Sequence, residues 1–290
     1  MNNSNLEKLI NEALAIESET AKEAGAIGYM ARVLTQATIP HKNVSGSEFT
    51  RTNGEFSLSI LTPAKIGIPY GSIPRLLLSW ITTEAVRTKS NKIVLGNTLS
   101  GFMTELGLVP TGGRWGTIIR LRDQTHRLFS SSISFQYEKT KKFNASLGFN
   151  IAKEYQLWWQ PKQPEQATLW QSTVTLNTDF FNEIIDRPVP IDMRALNALK
   201  RSPLALDIYC WLTYRMSYLT KQTRIPWCVI EKQFGSDYER TRDFKKKFLN
   251  QLKAVLTVYT EAKIDDSEDC LILRPSKSHI PYVPVDKPCG

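Results

Sequence analysis

IPYGSIPRLLLSWITTEAVRTKSNKIVLGNTLSGFMTELGLVPTGGRWGTIIRLRDQTHRLFSSSISFQY, residues 68–137, is the stretch whose reading decides the fold. Gly71 and Pro74 open a helix whose apolar face is Leu76, Leu77, Trp80, Ile81 and Val86 at helical spacing, with Arg75, Glu84 and Arg87 off that face. The β-prone piece Ile93-Val94-Leu95 follows. Asn97 or Thr98 caps a second helix holding Leu99, Phe102, Met103 and Leu106, and Gly107 stands where a helix C-terminus takes a left-handed residue. Thr111-Gly112-Gly113 turns the chain into a third helix, with Ile118, Leu121 and Leu128 on one side and Arg114, Arg120, Arg122 and Arg127 around it. Ser130 to Tyr137 then alternates polar and apolar residues, as a half-buried strand does. Helix, short strand, helix, glycine turn, basic helix and hairpin is the order of a winged helix-turn-helix, in which the basic helix enters a major groove and the hairpin touches the backbone. Gly112 to Gly116 lacks the GxxxxGK[ST] spacing of a phosphate loop and reads as a turn.

Downstream, residues 138–142 supply the hairpin turn and residues 145–151 the return strand. Lys139, Lys141 and Lys142 at the tip suit a phosphate-contacting wing, against the alternative of a solvated turn. Tyr155, Leu157, Trp158 and Trp159 read as core or domain-interface residues rather than a base-stacking platform. A strand over 169–176 closes this unit. A second one begins near Thr178: a short helix through Ile185, a break at Arg187-Pro-Val-Pro190, a helix from Asp192 to Leu199, and one capped by Ser202 with Pro203 at its first position. Then come a short strand at Ile225-Pro-Trp227, a helix over 229–234, a long helix over 238–255 capped by Ser236 or Asp237, and a hairpin over 257–263 and 270–274. The first unit's order recurs.

On that long helix Phe244, Phe248, Leu252 and Val255 form the core stripe. Arg242, Lys246, Asn250 and Lys253 lie opposite, with Glu239 among them, and Arg240 and Lys247 flank the stripe. Arginine reads guanine and asparagine reads adenine in a bidentate way, while lysines supply phosphate contacts. The competing reading is a solvated face. The acidic tip of the second hairpin, Asp265 to Glu268, argues against phosphate contact there.

Upstream, residues 5–36 have helical spacing but carry Glu7, Glu12, Glu17, Glu19 and Glu23, which disfavours DNA contact. They read as an N-terminal helix or loosely held arm, or as a partner-docking or self-association segment. Residues 41–54 read as a linker, Phe56 to Ile60 as a first strand, and the Pro-rich tail after Pro275 as loose.

Composition agrees with these units. With 290 residues, 41% hydrophobic and 10% aromatic, the chain supports about two cored domains. A net charge of +9 points to a polyanion. Cys210, Cys228, Cys270 and Cys289 form no CxxC pair, and the three histidines (His41, His126, His279) complete no zinc pattern, so no metal or cofactor is expected. The N-terminus lacks a signal-peptide pattern and no apolar run spans a bilayer, which makes a cytoplasmic protein the expectation. Tyr209, Tyr214 and Tyr218 sit in an apolar helix without nearby metal-binding histidines, so they read as packing rather than nicking nucleophiles.

IPYGSIPRLLLSWITTEAVRTKS and LGLVPTGGRWGTIIRLRDQTHRLFSSSIS together resemble the RepA-type replication initiators of bacterial plasmids, and the order of elements matches from Phe56 to Leu273. The resemblance implies a non-enzymatic protein that binds iterons in origin DNA, promotes melting of adjacent AT-rich DNA, and recruits host replication proteins such as the DnaB helicase and DnaA. It also implies homodimers in equilibrium with monomers, formed through the first winged helix and able to repress the protein's own gene, and a second winged helix that makes the main specific contact. The expected architecture is α+β: two tandem winged helices over residues 51–177 and 178–275, behind an N-terminal helical segment over 1–50 and before a tail over 276–290. The rivals are a transcriptional repressor without initiator activity and a DNA-nicking enzyme.

Overall fold

The computed structural model describes residues 3–54, 56–140, 143–167, 171–235 and 240–281. They form a mixed α/β chain whose sheets are all antiparallel. α1 (Asn3–Ser18), β1 (Ile27–Met30) and α2 (Arg32–Gln36) come first, then β2 (Glu48–Asn53) and β3 (Phe56–Leu61). The decisive stretch yields α3 (Ser72–Thr88), β4 (Lys92–Val94), α4 (Leu99–Glu105) and α5 (Thr117–Phe129), followed by β5 (Ser132–Thr140), β6 (Phe143–Asn150), β7 (Ala152–Gln156) and β8 (Thr173–Leu176). The remainder is α6 (Thr178–Asp186), β9 (Val189–Asp192), α7 (Met193–Leu199), α8 (Pro203–Met216), β10 (Thr223–Pro226), α9 (Trp227–Phe234), α10 (Thr241–Val258), β11 (Ile264–Asp266) and β12 (Cys270–Leu273).

Two three-stranded sheets share one pattern. In each, the short strand between the first two helices pairs with the last strand of the unit, giving β4-β8-β7 and β10-β12-β11. The hairpin that directly follows α5 does not join β4. Strands β5 and β6 extend a second sheet in the order β2-β3-β5-β6, and their pairing runs past Tyr137, the last residue opposite β3, to Thr140 and Phe143. The first half therefore carries an inserted hairpin that the second half lacks. The second hairpin is shorter than the sequence suggests, because α10 continues through Val258 and its first strand starts only at Ile264.

The N-terminal region departs most from its sequence reading. Helix α1 stops at Ser18, and residues 27–30 form a strand that pairs with β9 in register Ile27 to Asp192 through Met30 to Val189. A Cβ at Gly28 would stand 2.4 Å from the Met193 sulfur, so the glycine lets that methionine side chain lie against β1. The acidic repeats beyond Ser18 suggested a continuing helix because periodicity records amphipathicity and not the strand partner, which lies far away in sequence. The supposed linker contains β2, whose alternating polar residues pair with β3. Leu9, Ala13 and Ile16 of α1 are buried, while Leu6, Ile10 and Leu14 stay exposed. The tail is pinned rather than loose as far as Ile280. His279 stacks on Tyr259 at 4.7 Å, Tyr259 donates to the Lys277 carbonyl at 2.7 Å, and Ile280 is buried. Residues 282–290 lie outside the described residues.

One buried apolar cluster runs from Leu9 of α1 through both halves to Leu273 of β12. Polar groups sealed within it join the halves. Arg75 donates to both carboxylate oxygens of Asp207 at 2.7 Å, and also to the carbonyls of Ile39, Pro40 and Gly71. His41 Nε2 sits 2.7 Å from Asp207, and Arg51 donates to the Gln233 carbonyl at 2.9 Å. The off-face placement expected for Arg75 is thus corrected. It is 3% exposed and turned toward α8, whose lone aspartate needs its charge met.

Candidate nucleic-acid interface

Helix α5 is set by the turn before it. Leu108 donates to the Met103 carbonyl at 2.7 Å and Gly107, at φ +67, donates to Thr104 at 2.8 Å, closing α4 with a Schellman motif. The Thr111 amide then bonds the Thr117 hydroxyl at 2.9 Å and the Thr117 amide bonds the Thr111 hydroxyl at 2.9 Å. This reciprocal pair, the relation seen in a capping box, fixes the start of α5. Gly116 precedes Thr117, where a Cβ would lie 2.2 Å from the Thr111 carbonyl oxygen. The glycine loop is thus a helix-starting turn. Ile118, Leu121 and Leu128 face the core as expected.

Arg120 and Arg122 are exposed along α5. Arg114, in the exposed turn, lies 5.2 Å from the ring centre of Trp115, which is itself 80% exposed. Arg127 is otherwise engaged. It pairs with Asp123 at 2.9 Å, donates to the Ile68 carbonyl at 3.2 Å and lies 5.4 Å from the Tyr70 ring centre. It belongs to the joint between α5 and the start of α3 rather than to the open arginine face.

Helix α10 buries Phe244, Phe248, Leu252 and Val255, as its spacing predicts. Burial of an apolar side chain contributes about 1.5–3 kcal/mol, so four set the helix rotation by roughly 6–12 kcal/mol. Exposed ion pairs contribute about 0–1 kcal/mol and do not compete with that. The rotation leaves Arg240, Arg242, Lys246, Lys247, Asn250 and Lys253 exposed. Among the described residues Arg242 pairs with Asp243 at 4.0 Å, and its side chain is 84% exposed. At about 100° per residue, Arg242, Lys246, Asn250 and Lys253 fall within one narrow stripe. Lys245, by contrast, donates to the Ser267 and Glu268 carbonyls and lies 4.9 Å from the Trp227 ring centre, tying the acidic hairpin tip to the base of the helix. Ser236, Asp237, Tyr238 and Glu239, read as the start of the helix, lie outside the described residues. Lys141 and Lys142 lie outside them too, and the backbone at Lys139 continues β5.

Two clefts, of about 450 and 560 Å³, open between the helices and share Lys8, Lys200 and Arg201 as common wall. Arg120 of α5 lines one and Lys247 of α10 lines the other, so the two clefts adjoin at Lys8, Lys200 and Arg201, between the two basic helices. The sequence reading passed over Lys8, Lys42, Lys200 and Arg201. The available signal was the basic pair Lys200-Arg201 in the short turn between two helices. Among the described residues there is no group of three or more histidines, cysteines or carboxylates able to hold a metal, and no helix long and apolar enough to cross a membrane. Tyr209 is fully buried, accepting from the Asp192 amide at 2.9 Å with its hydroxyl 2.8 Å from His279 Nδ1. Burial raises its phenol well above the usual range, so it serves as a packed hydrogen-bonding core residue.

A family model described as plasmid encoded RepA protein matches residues 68–229. No curated protein matches the sequence. Among solved structures, the chain is similar to a selenomethionine crystal structure of domains 2 and 3 of RctB, at 12% identity and a TM-score of 0.54, covering 86% of this chain and 97% of that one. A second crystal structure of those domains, RctB 155–483, aligns at 11% identity and a TM-score of 0.51, covering 84% and 96%. At these identities the likeness is one of fold.

Proposed function

The chain belongs to the plasmid-encoded RepA family, and on that premise we propose that it initiates plasmid replication by binding repeated sequences in origin DNA through two winged helices. The first is α3, β4, α4 and α5 with the sheet β4-β8-β7, and the second is α8, β10, α9 and α10 with β10-β12-β11. They correspond to residues 51–177 and 178–275, with the N-terminal segment strapped across both. The equal strand order of the two small sheets supports this reading.

One observation carries it. The exposed basic helices α5 and α10, each last in its helix triad, line two adjoining clefts with a common cationic wall of Lys8, Lys200 and Arg201, an arrangement that supports both helices meeting one duplex. Arg242, Lys246, Asn250 and Lys253 make the specific contacts, with Arg240 and Lys247 beside them. Arg114, Arg120 and Arg122 serve the first helix, and Lys139, Lys141 and Lys142 contact phosphates from the inserted hairpin. Origin melting, recruitment of the DnaB helicase and DnaA, dimerisation, autorepression and a cytoplasmic location belong to the same proposal and rest on the family.

Footprinting on the plasmid that encodes this chain, combined with single-strand-specific probing, tests the proposal. Protection at repeats with adjacent opening is the expected result. Protection without opening leaves a repressor, and strand scission without protection of repeats defeats the proposal.

A further inference from the structure

We propose that the two adjoining clefts between the basic helices form a phosphate track, in which Lys8, Lys42, Lys200 and Arg201 hold the stretch of DNA backbone that passes from α5 to α10. This rests on the DNA-binding reading above and adds a third contact zone, built from the N-terminal helix and the α7–α8 turn rather than from either reading helix.

The groove is strongly cationic. Arg120 lines one cleft, Lys42 and Lys247 the other, and Lys8, Lys200 and Arg201 both, against the carboxylates Glu12 and Asp123. Both carboxylates already face a cation, Glu12 with Lys8 at 3.9 Å and Asp123 with Arg127 at 2.9 Å. Lys200 is held in place by bonds to the Gly107 carbonyl and to Asn197 Oδ1, and Arg201 by one to Asn5 Oδ1. Their donors thus start from set positions at the wall common to both clefts. Burial first, and then the like charge of Lys8, pull the Lys200 ammonium below its ordinary pKa. Such crowding of like charges is relieved by a bound anion.

The shape favours a polymer over a small anion. Lys8, Lys42, Arg201 and Lys247 are exposed on the walls rather than enclosed, and the two clefts lie side by side across Lys8, Lys200 and Arg201. A phosphodiester chain presents successive charges to such a track, and each neutralised phosphate releases counterion.

The test uses the full chain with Lys8, Lys42 and Arg201 all replaced by glutamine, leaving Lys200 in its structural bonds. Binding to a duplex of about 30 base pairs, roughly three turns at ~10 base pairs each, is measured by fluorescence anisotropy across a salt series. Losing two to three phosphate contacts makes the slope of log K against log salt shallower by about 2–3, at about 0.9 per phosphate. Gln251→Lys adds a cation to the same wall and is expected to steepen the slope by about 1, which keeps the test decisive if the triple variant folds poorly. Unchanged slopes in these variants overturn the track. If Arg242→Ala with Lys246→Ala still weakens binding in that case, the DNA-binding reading stands alone. A wild-type chain that fails to bind duplex removes both. Saturable binding of ATP that the triple variant loses, with the DNA slope unmoved, assigns the cleft to a small anion and also overturns the track.

Discussion

Asp207 sits in α8 among apolar neighbours, and Arg75 in α3 does likewise. Burial drives the Asp207 carboxyl upward, but the Arg75 guanidinium and the His41 bond outweigh that, and its pKa lies below the ordinary carboxylate range. An ionised Asp207 accepts only, so His41 Nε2 carries the proton in their bond. Arg75→Met leaves a buried carboxylate without its main partner and is expected to cost about 3–5 kcal/mol in urea unfolding. Adding Asp207→Leu should recover part of that loss, because no charge then remains uncompensated; a double variant as unstable as the sum of the singles contradicts the pairing. His41 has a lowered pKa, from burial first and opposed by Asp207, with Arg75 and Arg51 also pushing it down. His279 is lowered by burial as well, with Arg194 acting in the same direction and Asp192 against it. For both, the unfolded chain binds more protons below its unfolded pKa of about 6.5. Stability is therefore full above that value and falls as pH drops from about 6.5 toward the folded values. Comparing unfolding free energies at about pH 7.5 and 5.5 should show the fall, and His41→Gln should flatten it. Neither member of the Arg75–Asp207 pair was legible as buried. A single arginine or aspartate inside an apolar helical run is the available hint, and it is easily taken for an off-face charge because one sequence segment does not show its partner 132 residues away.

At the scale of elements, the core stripe and open face of α10 were legible because an amphipathic helix writes both into one period. The α5 turn was legible from its glycines and threonines. The partner of each strand was not: an alternating pattern fixes which side is buried but not which strand lies alongside, and the hairpin after α5 extends β3 while β4 pairs with β8. If α10 reads bases, Arg242→Ala with Lys246→Ala should lower specific affinity by about 2–5 kcal/mol, taking about 1–3 for each good contact. Unchanged affinity at fixed salt would remove this face from the interface. If Lys141 and Lys142 contact phosphates, Lys141→Ala with Lys142→Ala should give a smaller loss that is the same on any duplex, together with a shallower salt slope. A loss confined to one sequence would contradict that role.

Across the whole molecule, two helix triads with small sheets suggest two independent bodies on a linker, but the N-terminal segment stitches them together. Strand β1 is paired with β9 of the second half and packs Gly28 against Met193 and Thr83, the latter on α3 of the first. Helix α1 buries Leu9, Ala13 and Ile16, and Arg194 of α7 reaches back to the carbonyls of Ala15 and Glu19. Asp207 accepts from Arg75 and His41 across the same joint. With the apolar cluster continuous through it, opening one half exposes apolar surface and unpaired charge belonging to the other, so the two should not melt separately. Calorimetry of the full chain is expected to give a single transition whose calorimetric and van't Hoff enthalpies agree. Removing residues 1–30 takes away β1 and α1 together, and should split that transition or lower its midpoint while leaving the α10 face chemically intact. Two well-separated transitions in the full chain, insensitive to that deletion, would mean that the N-terminal strap does not couple the halves. If α5 and α10 both engage DNA, their spacing would then be set by the duplex rather than by the protein.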